Sequence, residues 1–296
     1  MAKRINRAIE LLEQGQPIYY TGAHSGAVLT YEYGREMAST YADYINIGME
    51  HGAFDMAGLD QFMRGLVDAG PTNSGHRTPA VIVEVPVDGG SEEIVRYNAW
   101  QFRQILARGV HGIILCNAET PGAVRAFVES CRYTFQDIGV GELIGRGTRG
   151  AGAQGPAAEV WGVSADEYLD KADPWPLNPN GELMLGLKLE NKRALENAEL
   201  STRISGITYA EWGPGDMSMA HGFKTPPNPF TPELLAARDR IFQACRDAGL
   251  FFLNGVSPEN VTEMIDEGVM VCSAGGPGGE EAARIGRVHT GRTMPV

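Results

Sequence analysis

Short apolar runs alternate with amphipathic segments along the whole chain. The apolar runs, predicted as eight β-strands, lie at residues 17–22, 44–48, 80–87, 112–117, 182–190, 206–212, 251–254 and 269–273. Segments with helical periodicity lie at residues 27–41, 56–69, 99–108, 122–132, 191–202, 232–248, 258–267 and 279–287. Eight strand–helix alternations over this length favour an α/β fold, a closed (β/α)8 TIM barrel, over an open doubly wound sheet. The amphipathic residues 8–12 predict a short N-terminal helix before the first strand.

One segment interrupts this alternation. Residues 133–180 contain a single short helical pattern, at 165–171, so we expect a long loop before the fifth strand. A connection of that length inside a compact barrel is either a functional lid or a subunit contact. With this loop included, the prediction is one catalytic domain over residues 1–296.

Composition limits the possible partners. With 43% hydrophobic residues among 296, the chain can bury a large core. Its formal net charge of −12 disfavours a nucleic-acid partner, and no apolar stretch approaches membrane-spanning length. The four cysteines have no C-x-x-C spacing, which disfavours structural zinc and a disulfide framework. We therefore expect a cytoplasmic protein that acts on a small molecule.

Two acidic residues stand at the ends of neighbouring predicted strands. Glu190 closes the fifth strand, and Asp216 follows the sixth in a segment rich in Gly and Pro. In such a barrel the carboxyl ends of the strands form the active face, which also receives His51 and the 86–91 turn. Carboxylate oxygens suit a hard divalent cation. The alternative, two solvated loop acids, is less favoured because both residues converge on one face.

Four motifs resemble the metal-dependent (class II) pyruvate aldolases, a family that includes 4-hydroxy-2-oxoheptanedioate aldolase, 2-dehydro-3-deoxyglucarate aldolase and macrophomate synthase. The resemblance covers most of the chain. Its motifs are Met49-Glu50-His51-Gly52, Arg149-Gly150-Ala151-Gly152, the Leu189-Glu190 strand end, and GPGDMSMAHG at 213–222. The last motif is the most specific.

The resemblance implies roles for these residues. Glu190 and Asp216 look like the protein ligands of Mg²⁺ or Mn²⁺, and His51 looks like the histidine that moves protons through a metal-bound water. The substrate would be a 2-oxo acid that chelates the metal, which stabilises the enolate formed when the C3–C4 bond breaks. For His51, a packed histidine at a strand end is the alternative.

The residues beside Asp216 resemble the substrate side of the family's site. Pro214, Gly215 and Ser218 fall there by position in the motif. The Ser218 hydroxyl either orients the Asp216 carboxylate or caps the next turn.

Three positions depart from the family pattern. Gly48 replaces an Asp, Glu84 replaces the Arg that clamps the substrate carboxylate, and Lys188 replaces a Gln. Side chains alternate along a strand, so Lys188 shares the inward side with Glu190. We hypothesise that Glu84 and Lys188 form a compensating ion pair, since unpaired buried charges are costly.

Other roles remain open for these and two further residues. Lys188 could form a Schiff base or anchor the substrate carboxylate, and Glu84 could act as a general acid or base. Arg96, in a long loop after the third strand, could bind an anionic substrate group, although a surface arginine is commoner. Arg149 is expected to order the long loop or an interface rather than to contact substrate.

The predicted activity is that of a divalent-metal-dependent carbon–carbon lyase of aldolase type, cleaving a hydroxy-oxo acid or related oxo substrate. A hydratase or decarboxylase on the same site is the first alternative, and a ligand-binding protein without turnover is the second. The resemblance also implies a homo-oligomer, a hexamer or trimer of dimers.

Overall fold

A closed ring of parallel strands forms the centre of the molecule. The computed structural model describes residues 2–24, 26 and 28–296. The strands are β1 (Ile18–Ala23), β2 (Tyr44–Gly48), β3 (Ala80–Asp88), β4 (Gly112–Cys116), β5 (Pro174–Trp175), β6 (Leu183–Lys188), β7 (Tyr209–Glu211), β8 (Phe251–Gly255) and β9 (Val269–Ser273). They pair in the order β4-β3-β2-β1-β9-β8-β7-β6, and β4 pairs with β6 to close the ring. The predicted (β/α)8 barrel is therefore confirmed, with the two-residue β5 added beside β6.

Helices surround the barrel. They are α1 (Arg7–Glu13), α2 (Tyr31–Met37), α3 (Met56–Ala69), α4 (Glu92–Tyr97), α5 (Ala99–Leu106), α6 (Pro121–Cys131), α7 (Gln154–Trp161), α8 (Ala165–Lys171), α9 (Lys192–Glu196), α10 (Ala198–Ser201), α11 (Pro214–Ala220), α12 (Pro232–Ala248), α13 (Val261–Glu267) and α14 (Gly279–His289). The N-terminal helix is present as predicted. Among the described residues, no helix has both the length and the apolar character needed to cross a membrane.

The side chains of each strand point alternately into the barrel and toward the outer helices, and so form two separate apolar clusters. Ile82 of β3 and Met184 of β6 belong to a cluster inside the ring, which α1 covers at the end where the strands begin. Val81, Val83 and Leu185 belong to the cluster between the strands and the outer helices. Because side chains two residues apart share a face, Glu84 and Lys188 follow Ile82 and Met184 into the barrel interior.

The segment before the fifth barrel strand is more ordered than predicted. It contains two helices, α7 and α8, where the sequence pattern indicated only the second. Pro156 lies in the first turn of α7, where a missing N–H costs no helical hydrogen bond, so the helix forms despite its Gly and Pro. The Arg149 guanidinium packs between Tyr133 and Tyr168 and donates to the Tyr168 hydroxyl (2.8 Å). Arg149 thus orders this segment, as expected.

Three other boundaries differ from the prediction. The helix predicted from Ala27, which lies outside the described residues, begins at Tyr31, where the Thr30 side chain caps it. The expected loop after β3 contains α4, whose N-terminus Ser91 caps. The helix predicted over 191–202 is two helices, α9 and α10, because Asn197 leaves the helical conformation.

A buried cluster of charges closes the far end of the barrel. Asp43, just before β2, accepts hydrogen bonds from Arg292 (2.6 and 2.8 Å) and from the Tyr19 backbone N–H (2.9 Å). Arg287 lies 3.5 Å from the same carboxylate. The cluster ties the C-terminal residues after α14 to the start of β2.

Candidate functional site

Glu190 lies two residues after the end of β6 and is 1% exposed. Its Oε1 accepts a hydrogen bond from the Asn117 backbone N–H (2.9 Å), where Asn117 takes the left-handed conformation (φ 44°). A Cβ added to Gly213 would stand 2.5 Å from Glu190 Oε2, and Gly213 also has a positive φ of 50°. Only glycine suits that position, so the turn after β7 is shaped to let the carboxylate lie against the backbone.

Asp216 lies in the first turn of α11 and is half-buried. Burial and the charges of Glu50, Glu119 and Asp216 raise the pKa of Asp88 at the end of β3, against a hydrogen bond from Asn117. Asp216 is therefore part of an acidic mouth at the carboxyl ends of the strands. Among the described residues, no three His, Cys, Asp or Glu side chains converge as a metal-binding group.

Lys188 and Glu84 contact each other inside the barrel, which confirms the predicted ion pair. The Lys188 Nζ lies 3.3 Å from Glu84 Oε2 and donates to Glu50 Oε2 at 2.6 Å. All three side chains are at most 6% exposed. Glu50, which follows β2, is a second partner that the alternation of strand residues did not reveal.

The environment of Lys188 keeps its amine protonated. Burial opposes the charge, but neighbouring acidic groups, including Glu211, Glu84 and Glu190, raise the lysine pKa above its ordinary value. A protonated amine held by two carboxylates is not a nucleophile. The geometry therefore disfavours the Schiff-base role for Lys188.

Glu84 has two further partners on its Oε1 atom. The Asn46 side-chain amide donates to it at 2.8 Å, and His24 Nδ1 lies 2.6 Å away. Burial opposes ionisation of Glu84, but the His24 hydrogen bond and the Lys188 charge lower its pKa below the usual value. Glu84 therefore stays ionised near neutrality, which suits a hydrogen-bond acceptor and disfavours a general acid.

Sequence reasoning missed His24 and Glu211. His24 follows β1 at its carboxyl end, a position of the same kind as that of Glu190 after β6. Glu211 shares the inward face of β7 with Tyr209 and pairs in register with Lys188. Burial raises the pKa of Glu211 to about 7, with Lys188 opposing and Glu84 adding to the shift.

A cavity of about 110 Å³ opens at this mouth, lined by Tyr20, His24, Glu211, Trp212, Pro214, Leu253, Asn254, Gly255 and Ser273. Trp212 and Pro214 flank Gly213, which packs on Glu190. The cavity thus adjoins the candidate metal carboxylates.

Other predicted residues lie elsewhere or bond differently. Arg96 is held on the outer helices by Glu92 and Glu129 (2.7 Å to Glu129), not at the barrel mouth. The Ser218 hydroxyl donates to the Pro214 carbonyl (2.6 Å), so it neither orients Asp216 nor caps a turn. His51 is not packed: its side chain is 56% exposed, with Nε2 3.7 Å from Glu50 Oε2.

Comparison with known proteins identifies the family. Residues 35–280 match the HpcH/HpaI aldolase/citrate lyase family. The match covers more than half of the chain, so this protein belongs to that family, and the predicted relationship to aldolases is confirmed at this level.

Individual relatives agree with the assignment. The 2-keto-3-deoxy-L-rhamnonate aldolase of Salmonella schwarzengrund (strain CVM19633) is 30% identical over 143 residues, which are 48% of this chain and 45% of that protein. The alignment thus spans less than half of the curated relative. An HpcH/HpaI aldolase/citrate lyase family protein from Burkholderia cenocepacia J2315 has a similar fold, with TM-score 0.69 and 18% identity over 90% of each chain. An HpcH/HpaI aldolase from Desulfitobacterium hafniense DCB-2 gives TM-score 0.68 and 17% identity over 97% of each chain.

Proposed function

We propose that this protein is a divalent-metal-dependent carbon–carbon lyase of aldolase type whose substrate is a small 4-hydroxy-2-oxo acid. Family membership over residues 35–280 supports the reaction class. The partial similarity to 2-keto-3-deoxy-L-rhamnonate aldolase supports a 2-oxo acid as the substrate class. One catalytic domain carries the whole site.

The observation that carries this proposal is the environment of Glu190. Its carboxylate is buried, and no described Lys, Arg or His side chain lies within ion-pair distance of it. Burial raises the pKa of Glu190 well above its usual value; the charge of Lys188 opposes this shift, and Glu211 and Glu50 add to it. A divalent cation would supply the positive charge that this crowded acidic position needs in order to hold an ionised carboxylate. Mg²⁺ is commonly bound through one or two carboxylates, with water and substrate oxygens completing the coordination. The carboxylate of Glu190, and that of Asp216 in the turn that begins at Gly213 against Glu190, are donors of the kind that Mg²⁺ or Mn²⁺ prefers.

Each residue of the candidate site would then have a defined role. Glu190 and Asp216 would hold the cation, which when bound acts as a Lewis acid toward the oxygens of the 2-oxo acid. Pro214 and Gly215, at the start of α11, would lie beside the substrate. His51, exposed at the mouth, would move the proton of the substrate hydroxyl, and Lys188 would hold Glu50 and Glu84 in place.

One observation favours a second candidate, a hydratase or decarboxylase on the same site. Glu211 is buried beside the cavity, and its pKa of about 7 makes it an acid available near neutrality. Product analysis separates the two functions, because an aldolase releases an aldehyde together with a 2-oxo acid.

The test is cleavage of a panel of aliphatic and aromatic 4-hydroxy-2-oxo acids with Mg²⁺, with Mn²⁺, and with EDTA. We expect metal-dependent release of a 2-oxo acid that Glu190→Gln and Asp216→Asn abolish. Glu199→Gln is the matched control, because Glu199 is exposed on the outer helices and pairs with Arg240.

Metal binding is measured separately by the shift in thermal unfolding temperature on adding Mg²⁺ or Mn²⁺. The wild-type protein and Glu199→Gln should be stabilised, and Glu190→Gln should not. Cleavage that persists in EDTA would contradict the metal-dependent lyase. The expected hexamer or trimer of dimers stays a prediction, which light scattering of the purified protein measures.

A further inference from the structure

His24 and Glu84 form a histidine–carboxylate pair that the functions assigned above do not use. His24 Nδ1 lies 2.6 Å from Glu84 Oε1. Because Glu84 is ionised and can only accept, Nδ1 must carry the hydrogen. The Nε2 atom is then the ring nitrogen available for proton transfer, and it lies 3.4 Å from the Tyr20 hydroxyl.

The carboxylate of this pair is held rigidly. Asn46 donates to the same Oε1 atom (2.8 Å), and Lys188 lies against Oε2 (3.3 Å). Glu84 is 1% exposed in its side chain, whereas the His24 side chain is 49% exposed. A fixed carboxylate therefore orients a ring that a small molecule can reach, which is the arrangement that general acid–base catalysis requires.

The pair lies where substrate would bind. His24 lines the cavity at the barrel mouth together with Tyr20, Glu211 and Pro214. Pro214 follows Gly213, against which the Glu190 carboxylate packs. A 2-oxo acid held near Glu190 and Asp216 would therefore have this cavity, with His24 in its wall, beside its carbon chain.

We infer that His24 is the catalytic acid that protonates the enolate carbon after carbon–carbon cleavage, and that Glu84 is its positioning residue. This inference rests on the proposed function. In the step, the Nε2–H bond breaks and its proton forms a new C3–H bond, using the electron pair of the enolate double bond. The product is the 2-oxo acid, and His24 is left neutral. The proton released from the substrate hydroxyl, or one from solvent, restores His24.

The charges around His24 agree with an acid that is protonated near neutrality. The hydrogen bond to Glu84 raises the pKa of the imidazole, as do the charges of Glu84 and Glu211, whereas burial and Lys188 lower it. The net direction is upward. Exchange of Glu84 for a neutral residue should therefore lower this pKa.

The first experiment compares His24→Gln with His289→Gln. His289 is the matched control, because its Nε2 also contacts a carboxylate, Asp266 Oδ1 (2.7 Å), but on the outer surface. Two rates are measured with Mg²⁺: cleavage of the 4-hydroxy-2-oxo acids, and deuterium exchange at C3 of pyruvate in D2O followed by mass spectrometry. We expect His24→Gln to lose about 10²–10⁴-fold in both rates, the usual contribution of general acid–base catalysis. His289→Gln should match the wild-type protein.

The outcomes distinguish this role from the proposed function. Cleavage and exchange in His24→Gln within threefold of wild type would overturn the role of His24 and leave the lyase intact. If the wild-type protein catalyses neither reaction, the proposed function fails and the role of His24 fails with it.

The second experiment tests the positioning by Glu84. Since His24 acts as the acid, kcat/KM should fall as pH rises through the pKa of His24. Glu84→Gln should move this basic limb to lower pH, and NMR titration of the His24 ring should show the same direction of shift in the absence of substrate. An unchanged basic limb together with an unchanged His24 titration would overturn the assignment of Glu84.

Discussion

Lys188 of β6 and Glu84 of β3, the two strands that flank β4, meet in a buried contact inside the barrel, with Nζ 3.3 Å from Oε2. Glu50 takes a hydrogen bond from the same Nζ at 2.6 Å. One lysine thus compensates two carboxylates that are almost inaccessible to solvent. The contact has consequences for stability that can be measured apart from catalysis.

Removal of Lys188 should destabilise the protein strongly. Lys188→Gln removes the lysine partner of two buried carboxylates, Glu50 and Glu84, and leaves Glu84 paired with His24; we expect a loss of about 3–5 kcal/mol in the free energy of unfolding by urea. The double variant Lys188→Gln/Glu84→Gln should recover part of this loss, because it also removes one of the two carboxylates that lost their lysine partner. The exposed pair Arg240–Glu199 serves as the control cycle, with a coupling expected below about 1 kcal/mol. Additive effects at Lys188 and Glu84 would show that the contact is not coupled.

Gly213 should be required for the position of the Glu190 carboxylate. In Gly213→Ala the new Cβ would stand 2.5 Å from Glu190 Oε2, so the carboxylate or the α11 turn must move. We expect loss of the thermal stabilisation by Mg²⁺ and at least a tenfold fall in cleavage rate. Gly249→Ala is the matched control, because Gly249 also has a positive φ (71°) but nothing within 4 Å of the added Cβ. If both variants bind Mg²⁺ equally, the close approach is unimportant.

Asp43 should make stability depend on pH in the acid range. Burial opposes its ionisation, but Arg292, Arg287 and Arg7 lower its pKa below the usual value. The folded-state pKa is therefore below the unfolded one, near 3.9, and the stabilisation is present above that pH and lost as pH falls through the folded value.

The variant Asp43→Asn tests this dependence. It should lose about 3–5 kcal/mol at pH 7, because Arg292 loses its buried partner, and the difference from wild type should shrink below about pH 4. Urea unfolding across pH 3–8 measures it. Asp266→Asn, at an exposed carboxylate, is the control and should show no such trend. A difference between Asp43→Asn and wild type that is constant with pH would contradict the assignment.

Glu211 should have the opposite effect to Asp43 on the pH dependence of stability. Its folded pKa of about 7 is above the unfolded value near 4.3, so ionisation costs stability increasingly as pH rises between these values. In EDTA, Glu211→Gln should unfold like the wild-type protein at pH 4 but be more stable by a few kcal/mol at pH 8. Equal stability of the two proteins at pH 8 would mean that folding does not raise the pKa of Glu211.

Much of the fold follows from local sequence. Eight apolar runs separated by helical patterns predicted the barrel strands, and two of them, β2 and β9, agree with the prediction at both ends. The errors lie in short helices such as α4, α7 and α11. Their few residues include Gly and Pro or polar caps, so periodicity is weak and tertiary contacts stabilise them.

The candidate site was also predictable only in part from the sequence. Strand alternation placed Glu84 and Lys188 on the inward face, and their opposite charges predicted the pair. The sequence could not give the contact partners of Glu50 and His24, which follow strands β2 and β1 in loops. Loop conformation is set by contacts distant in the chain rather than by periodicity, so no local pattern indicates where those side chains point.

By itself, the sequence determined which strand each candidate site residue lies on or follows. It gave one acidic residue after β6, another after β7, a histidine after β2, and a lysine that points inward from β6. Side-chain alternation and the parallel barrel suffice for that, because they fix which face and which end each residue occupies. Only the tertiary structure decided the partners. Closure of the ring brought β1, β2, β3 and β6 around one interior, where Glu84 contacts His24, Asn46 and Lys188 together. Those contacts join residues up to 104 positions apart, and their geometry exists only once the barrel is closed.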